Sequence, residues 1–582
     1  MIYYVHLAVH NKFQRKRDVF VFFKKYISDL RNEFKAYNAK SLSKDLMAGL
    51  TVAAVALPLA LAFGVSSGAD AAAGLVTAIF AGIFIGVFSG ASYQISGPTG
   101  AMSAILLTLS VKYGIQGVLL AGFISGAILV IAAVLKIGRL VSYIPAPVIT
   151  GFTSGIAIII ALGQIDNFFG TKSEGSDAVE KLISYGRLGF SPNWTAVLFG
   201  AIVVAIMIVY PKKLAAFIPS SLASIIIVLI INMVMFPDEP KVAEVGAIPK
   251  RLFTDEALIK KGFDLSNIKN LIAPAVSIAA LGMIESLLCG ASAGKMKNEK
   301  IDAGRELVAQ GIGNMIIPLF GGVPATAAIA RTSVAIKSGG QTRLVSVFHS
   351  VTLILSMFLL GGVMSRIPLS ALAGVLMVTA WRMNEWSAIK QIFGKHLKES
   401  RFQFAVTMAA TVIFDLTIAI VAGVVAAMLI FILKSSKLEV AVSGVDTDKL
   451  TDKGVSGDHT GTRVIYLSGP LFFGTQDILT LKLQEIGKAS AIVLSMRGVP
   501  NIDDSAINEL DMIYRELKQK SVNIVFCGVC RTVMGKMEQA GFVEKIGSGH
   551  FYWDAVEALK GIEGIEELRQ HRTKHVKGLC TS

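Results

Sequence analysis

The sequence predicts an α-helical polytopic membrane protein of about fourteen segments, followed by a small α/β domain. Three observations predict it. The 582 residues are 53% hydrophobic and only 17% charged, whereas a soluble domain carries roughly 25% charge. Apolar runs recur from Leu46 to Leu433. Beyond about residue 434, charged and apolar residues alternate as in an ordinary soluble domain.

Residues 1–44 form a basic segment, with ten Lys or Arg between Lys12 and Lys44. The positive-inside rule assigns it to the cytoplasm. That rule also accounts for the net charge of +15 without a nucleic-acid partner. No charged–apolar–small cleavage pattern begins the chain, so no cleavable signal peptide is expected.

Residues 45–434 form the membrane domain. Clear apolar runs cover 46–63, 72–88, 117–135, 148–162, 196–209, 214–235, 272–289, 344–360, 369–379 and 405–433. One crossing takes ~20 residues. The last run is too long for one and is expected to break at Asp415, read as the N-cap of the final helix.

Two further segments are short and rich in small residues: "YQISGPTGAMSAILLTL" (93–109) and "IIPLFGGVPATAAIARTSV" (316–334). Pro98 and Pro324 each introduce a helix after Gly-rich sequence, 226 positions apart. Paired, interrupted segments at corresponding places point to an inverted-repeat transporter. Their half-helix N-termini would aim free N–H groups and positive dipole ends at a mid-membrane site, which suits an anion.

Two charges interrupt this apolar sequence. Glu285 lies in "ALGMIESLLCG", where an exposed charge costs at least ~2.5 kcal/mol. Dry surroundings disfavour the charged carboxylate. In a wet pocket Glu285 could titrate: charged it repels an anion, neutral it admits one, which couples proton to anion. Arg331, after "ATAAIA" and about two turns into its helix, would supply positive field to the anion. It could also pair with Glu285 in the empty state.

Four cysteines are too few for a disulfide framework. The C-G-V-C of Cys527 and Cys530 lacks a second metal-spaced pair and is read as a strand-to-helix turn. No nucleotide loop, zinc pattern or nucleophile constellation appears, so neither an enzyme nor a resident cofactor or metal is expected.

Residues 435–461 read as a linker, 462–565 as the soluble domain and 566–582 as a basic tail. Strand-like runs at 462–474, 490–496 and 522–528 alternate with helical ones at 505–520 and 531–541. This alternation predicts a mainly parallel sheet.

Five stretches carry a family likeness: "DLMAGLTVAAVALPLALAFG" (45–64), "QISGPTGAMSAIL" (94–106), "YIPAPVITGFTSGIAIIIALGQ" (143–164), "ALGMIESLLCG" (280–290) and "GGVPATAAIARTSVAIKSGGQTRL" (321–344). They resemble the bacterial branch of the sulfate permease (SulP) family of anion transporters. The resemblance implies a 7+7 inverted repeat, with a core domain moving against a gate domain and an anion held between the third and tenth segments. It assigns Phe63, Thr99, Gly100, Ala101, Thr326, Ala327, Ala328 and Arg331 to the pocket, and Glu285 to proton coupling. Sulfate, bicarbonate and C4-dicarboxylates all fit the family. Its sodium-coupled members tend to carry Asp at the Glu285 position, and Cys289 one turn on is a poor sodium ligand, so proton symport is the leading reading and sodium-coupled bicarbonate symport the alternative. Leu59 stands where many relatives have Gln, which removes one polar group from the expected pocket.

The likeness also makes the soluble part a STAS domain, related to anti-sigma factor antagonists. It places Ser505 at their phosphorylated position, although Ser505 is better read as a helix N-cap. A homodimer in the bacterial inner membrane, with both termini cytoplasmic and a cytoplasmic regulator acting through the STAS domain, is the implied assembly. An uncoupled anion channel or exchanger would leave Glu285 without a role. A nucleobase transporter generally lacks the tail, and a signalling protein would leave the half-helices unexplained.

Overall fold

The computed structural model describes residues 26–563, apart from 176–177, 212–213, 215–217, 237–241, 265, 267, 395–397, 415, 436–437, 447–449, 451–454, 456–458, 476–477, 479–480 and 482–488. The first 25 residues of the basic segment, the basic tail and Asp415 lie outside the described residues. The chain divides into two compact units, residues 1–424 and 425–582.

In the first unit, α1 (Ala39–Ser66) starts where the Asn38 side chain accepts from the Ser41 N–H, and Pro58 lies inside it. Asp70 caps α2 (Ala71–Phe80) in the same way. The chain then runs through a π-helical turn, Ala81–Ile85, and a short helix to Phe88. α3 (Gly100–Val134) is broken at Gly114, whose φ of 68° only glycine adopts readily, so it supplies two segments. α4 (Ala146–Gly163), α5 (Trp194–Val209) and α6 (Ser220–Met235) complete the first seven. The second seven are α7 (Ile268–Lys297), α8 (Ala303–Ile316), α9 (Ile329–Lys337), α10 (Leu344–Met364), α11 (Leu369–Met383), α12 (Lys398–Ile413) and α13 (Leu416–Ser435). Among the described residues, six helices are long and apolar enough to cross a membrane, and four shorter apolar ones accompany them. The run 405–433 divides as expected, between Ile413 and Leu416.

Seven is an odd number, so the second set enters the membrane from the opposite side. Close helix contacts follow the exchange of one set for the other. The first segment meets the eleventh, where Gly49 lies against Val345, Phe348 and His349. The eighth meets the fourth, where Ala279, Ile284 and Leu287 pack on Leu129 and Ala133. Gly126 and Gly311 join the fourth to the ninth, and Gly82 and Gly86 join the second to the eleventh. The fifth packs on the thirteenth through Gly151 and Gly155, and the sixth on the twelfth through Gly200 and Gly374. Lipid offers no hydrophobic drive between helices, so such small residues gain close backbone packing instead.

A short helix over residues 26–34 precedes α1. Asp29 binds Arg305 at 2.6 Å and Glu33 binds Arg343 at 2.8 Å. Tyr26 lies beneath both guanidinium groups and donates to the Val87 carbonyl. On α1, Asp45 is buried and accepts from Thr342 Oγ1 and from the Gln341 and Thr342 N–H groups.

The second unit carries a five-stranded sheet, in the order β3 (Glu439–Gly444), β4 (Thr462–Ser468), β5 (Ala491–Gly498), β6 (Asn523–Cys527) and β7 (Phe551–Tyr552). Only the β3–β4 pair is antiparallel. Ile465, Leu494 and Phe526 face α14 (Asp504–Gln519) and α15 (Arg531–Gln539), while Val464, Val493 and Val525 pack on Ala558 and Leu559. The sheet is thus buried on both faces, as parallel sheets require. Cys527 ends β6 and Cys530 sits at the N-cap of α15, with burial pushing the Cys527 thiol up. The C-G-V-C is therefore a strand-to-helix turn. Ser505 is not the cap of α14. Asp503 is, accepting from the Ala506 N–H at 2.8 Å, because Ile502 bridges Leu471 and holds the chain extended through Asp503. Ser505 is left exposed in the first turn.

Candidate functional site

The two short Gly/Pro segments come together at their starts. The irregular stretch expected before each half-helix is a two-residue strand: β1 (Ser96–Gly97) pairs antiparallel with β2 (Thr326–Ala327). The Ala328 N–H donates to the Ile95 carbonyl, and the Ile95 N–H donates to Thr332 Oγ1. Side chains complete this crossing. Asn314 on α8 bonds both the carbonyl and the N–H of Ala325, at 2.8 and 2.7 Å. Gln310 donates to Ser96 Oγ, Gln94 donates to the Ser286 carbonyl, and Thr77 donates to the Val323 carbonyl.

From this crossing the half-helices depart. The side chain of Thr99 caps α3, accepting from Met102 N–H. Gly100 and Ala101 follow, and helix geometry leaves their N–H groups without an intrahelical acceptor. A Cβ on Gly100 would strike Ile160 of α4 and crowd the ring of Phe63. Phe63 of α1 thus stands beside the first residue of α3. α9 begins at Ile329, with Ala328 as an N-cap that offers no side-chain acceptor. Ile329 and Ala330 are exposed.

Glu285, half-buried in the middle of α7, accepts a 2.9 Å hydrogen bond from Thr99 Oγ1. The hydroxyl that caps α3 is therefore the one that touches the carboxylate. An ionised Glu285 only accepts, whereas a protonated one can donate.

Arg331 is the third residue of α9, in its first turn rather than about two turns in. It is 1% exposed. It does not pair with Glu285. Its Nη2 donates to the Pro98 carbonyl at 2.8 Å. The guanidinium lies against Gly97, where a Cβ would collide with Nη1. A fixed positive charge thus sits behind the starts of both half-helices.

Three expected pocket residues take other roles. Thr326 and Ala327 are strand residues, and Thr326 Oγ1 donates to the Gly282 carbonyl. The Ala328 N–H is spent on Ile95. On this arm the N–H groups without a helical acceptor begin at Ile329. The Cys289 thiol lies 3.4 Å from Thr332 Oγ1. Gln94, Gln310, Asn314 and Thr77 were missed. Their signal was a polar side chain inside an apolar segment, which lipid tolerates only when it is bonded.

The site combines half-helix N–H groups, one buried guanidinium and one hydroxyl-linked carboxylate. Such an array can hold an anion by dipole and charge, with a proton-carrying group in contact.

The sequence matches the Sulfate permease family over residues 42–411 and the STAS domain over 456–558. It is 35% identical over 534 residues to YvdB of Bacillus subtilis (strain 168), which bears a provisional sulfate-transporter name, covering 89% of this chain and 97% of YvdB. It is 29% identical over 540 residues to the bicarbonate transporter BicA of Picosynechococcus, covering 90% and 94%. The solved transmembrane domain of a cyanobacterial BicA superposes with a TM-score of 0.60 at 28% identity, covering 66% of this chain and 98% of that one. The solved overall structure of SLC26A9 gives 0.77 at 17% identity, covering 92% and 93%, a likeness of fold. The chain belongs to the sulfate permease family.

Proposed function

We propose that this sulfate permease family protein is a secondary active transporter that carries a small anion together with a proton. One observation carries the reading: Thr99 links the coupling carboxylate Glu285 to the cap of a half-helix whose N–H groups face the same site. With Glu285 charged, an arriving anion meets repulsion. Protonation removes the repulsion and turns the carboxyl into a donor. The Gly100 and Ala101 N–H groups, the Ile329 and Ala330 N–H groups and the Arg331 charge then hold the anion, with Phe63 as its apolar wall. Sulfate, bicarbonate and C4-dicarboxylates are the candidate substrates, and relatives named for the first two support that class.

Sodium-coupled bicarbonate symport is the second reading. The bicarbonate-named relatives support bicarbonate as its anion, and the Thr99 hydroxyl beside Glu285 would supply sodium with oxygen ligands. An even number of segments, fourteen, and the basic first segment support cytoplasmic termini in a bacterial inner membrane. A homodimer, regulation through the STAS domain and modification of the exposed Ser505 belong to the same proposal.

The test is uptake of labelled sulfate, bicarbonate and fumarate into liposomes, with and without an inward proton or sodium gradient, for wild type and Glu285→Gln. Proton-driven accumulation of one anion, abolished in the variant, is the expected result. Uptake indifferent to the proton gradient in both proteins would sink the coupling role of Glu285. Sodium-driven accumulation would establish the second reading.

A further inference from the structure

Glu306 has no place in the reading above, yet it is a completely buried carboxylate on α8, the ninth segment. The dipole favours an acidic residue in the first turn of a helix, but an exposed one would serve that end. Burying a charge is costly unless it is paired and hydrogen-bonded. The burial of Glu306 therefore calls for a second reason.

Its bonds go to other parts of the chain. Oε2 accepts from Ser89 Oγ at 2.6 Å and from the Gly90 N–H at 3.0 Å. Oε1 accepts from Gln310 Nε2 at 2.8 Å. A backbone N–H and an amide NH2 can only donate, so both oxygens are held as acceptors, the arrangement that suits an ionised carboxylate. Ser89 and Gly90 follow the second segment. They are pressed onto the start of α8, where a Cβ on Gly90 would collide with the Asp302 carbonyl.

Glu306 heads a polar stripe along one face of α8. Gln310 and Asn314 follow at intervals of four, the spacing that stacks side chains on a helix, and all three are buried. Asn314 grips Ala325 by both its carbonyl and its N–H, so its amide can face only one way. Gln310 has no such template on β1. It meets Ser96 through a hydroxyl, which accepts or donates equally well. Its other partner decides. Gln310 Nε2 donates to Glu306 at 2.8 Å and to Ser96 Oγ at 3.0 Å. An ionised carboxylate only accepts, so it turns the NH2 end toward itself and toward β1. Ser96 pairs with Ala327, and the next residue, Gly97, lies against the Arg331 guanidinium.

We propose that Glu306 is a positioning residue for the anion site: its charge orients Gln310, and Gln310 fixes Ser96, and with it Gly97 and the start of α3. Glu306 acts through β1 and not on the anion itself. This rests on the reading of the half-helix crossing as the anion site, and it gives the ninth segment a part in that site.

The test compares wild type, Glu306→Gln, Ser96→Ala and the double variant, each as the full chain. Amide exchange in detergent is followed over residues 94–99, which hold β1, and over 148–160 of the fifth segment as a control. Uptake KM and kcat are measured in liposomes, with the labelled anion that wild type carries among sulfate, bicarbonate and fumarate. Glu306→Gln removes the charge and lets the Gln310 amide turn over. Exchange over 94–99 is expected to rise about tenfold, with the control within about twofold. KM should rise about tenfold, with kcat within about twofold. Ser96→Ala should raise both local exchange and KM about fivefold, and adding Glu306→Gln to it should change KM less than about twofold further, because the two act in one chain. Exchange that stays flat over 94–99, or rises equally in the control, overturns the positioning role. KM effects that multiply in the double variant overturn the route through Ser96. A local rise in exchange with KM unchanged overturns the reading of the crossing as the anion site, while the hold of Glu306 on β1 survives. Where Glu306→Gln does not fold, Ser96→Ala decides: unchanged local exchange and unchanged KM overturn the relay.

Discussion

The two half-helices have the same backbone plan and opposite equipment. The α3 arm starts with a capping hydroxyl, is pressed by Ile160 and Phe63, and touches the carboxylate on α7. The α9 arm starts with an alanine cap, opens at Ile329 and Ala330, and carries the arginine. A repeated fold thus supplies two dipole ends, and on the proposed function side chains divide the labour: the first arm senses the proton, and the second supplies fixed charge and open N–H groups. The comparison teaches that symmetry in a transporter of this kind is a property of the main chain, while the proposed coupling comes from where it is broken.

The largest effect should come from the residue where the arms meet. Gly97→Ala puts a methyl group into the Arg331 guanidinium. Overpacking of that kind costs about 1–3 kcal/mol, and liposome uptake should fall roughly 100-fold at the upper end of that range. Uptake within about twofold of wild type would mean that the guanidinium is free to move aside.

A smaller, opposite pair separates the two arms. Thr99→Ala removes a cap worth about 1 kcal/mol and unhooks Glu285, so the pH profile of uptake should shift along with a loss of about fivefold. Ala328→Ser adds a cap to the other arm. It should leave the melting temperature unchanged or slightly higher, yet raise KM a few-fold, because the new hydroxyl takes an N–H from the anion. Identical pH profiles in both variants would erase the division of labour.

The smallest effect lies in the other unit. Partial burial pushes the Asp511 carboxyl up, but hydrogen bonds from Lys545 and Arg515 outweigh it and hold it below the usual carboxylate range. A depressed folded-state value stabilises above the unfolded value and is lost as pH falls through the folded one. Asp511→Asn should therefore lower amide-exchange protection of β4–β6 near neutral pH. The difference from wild type should shrink in acid, and uptake should stay the same. A difference that grows in acid would reverse the assignment.

Much of this was legible in the sequence. Apolar runs located the helices, and Pro98 with Pro324 located the crossing. Glu285 and Arg331 stood out because lipid makes charge expensive. The β1–β2 pair was not legible, since two residues carry no periodicity. The fate of the Ala328 N–H depends on Ile95, more than two hundred positions away, which no local pattern reports. Asp503 and Ser505 are both good caps by type. Only the bridge from Ile502 to Leu471 decides between them. The clamp of Asp29 and Glu33 on Arg305 and Arg343 was hidden inside a segment that read simply as basic.

The crossing has a mechanical consequence. Strand pairing, the Arg331–Pro98 bond, the Ile95–Thr332 bond and the Thr77–Val323 bond all tie one repeat to the other at a single point. Pulling the two half-helices apart would break all of them at once in a medium that offers no replacement partners. A seam cannot open there. The fifth segment, by contrast, meets this point through the hydrocarbon of Ile160, a contact made by carbon atoms. On the proposed function the cradle would then travel whole, like a shuttle past its frame, and the cargo would move because its seat does.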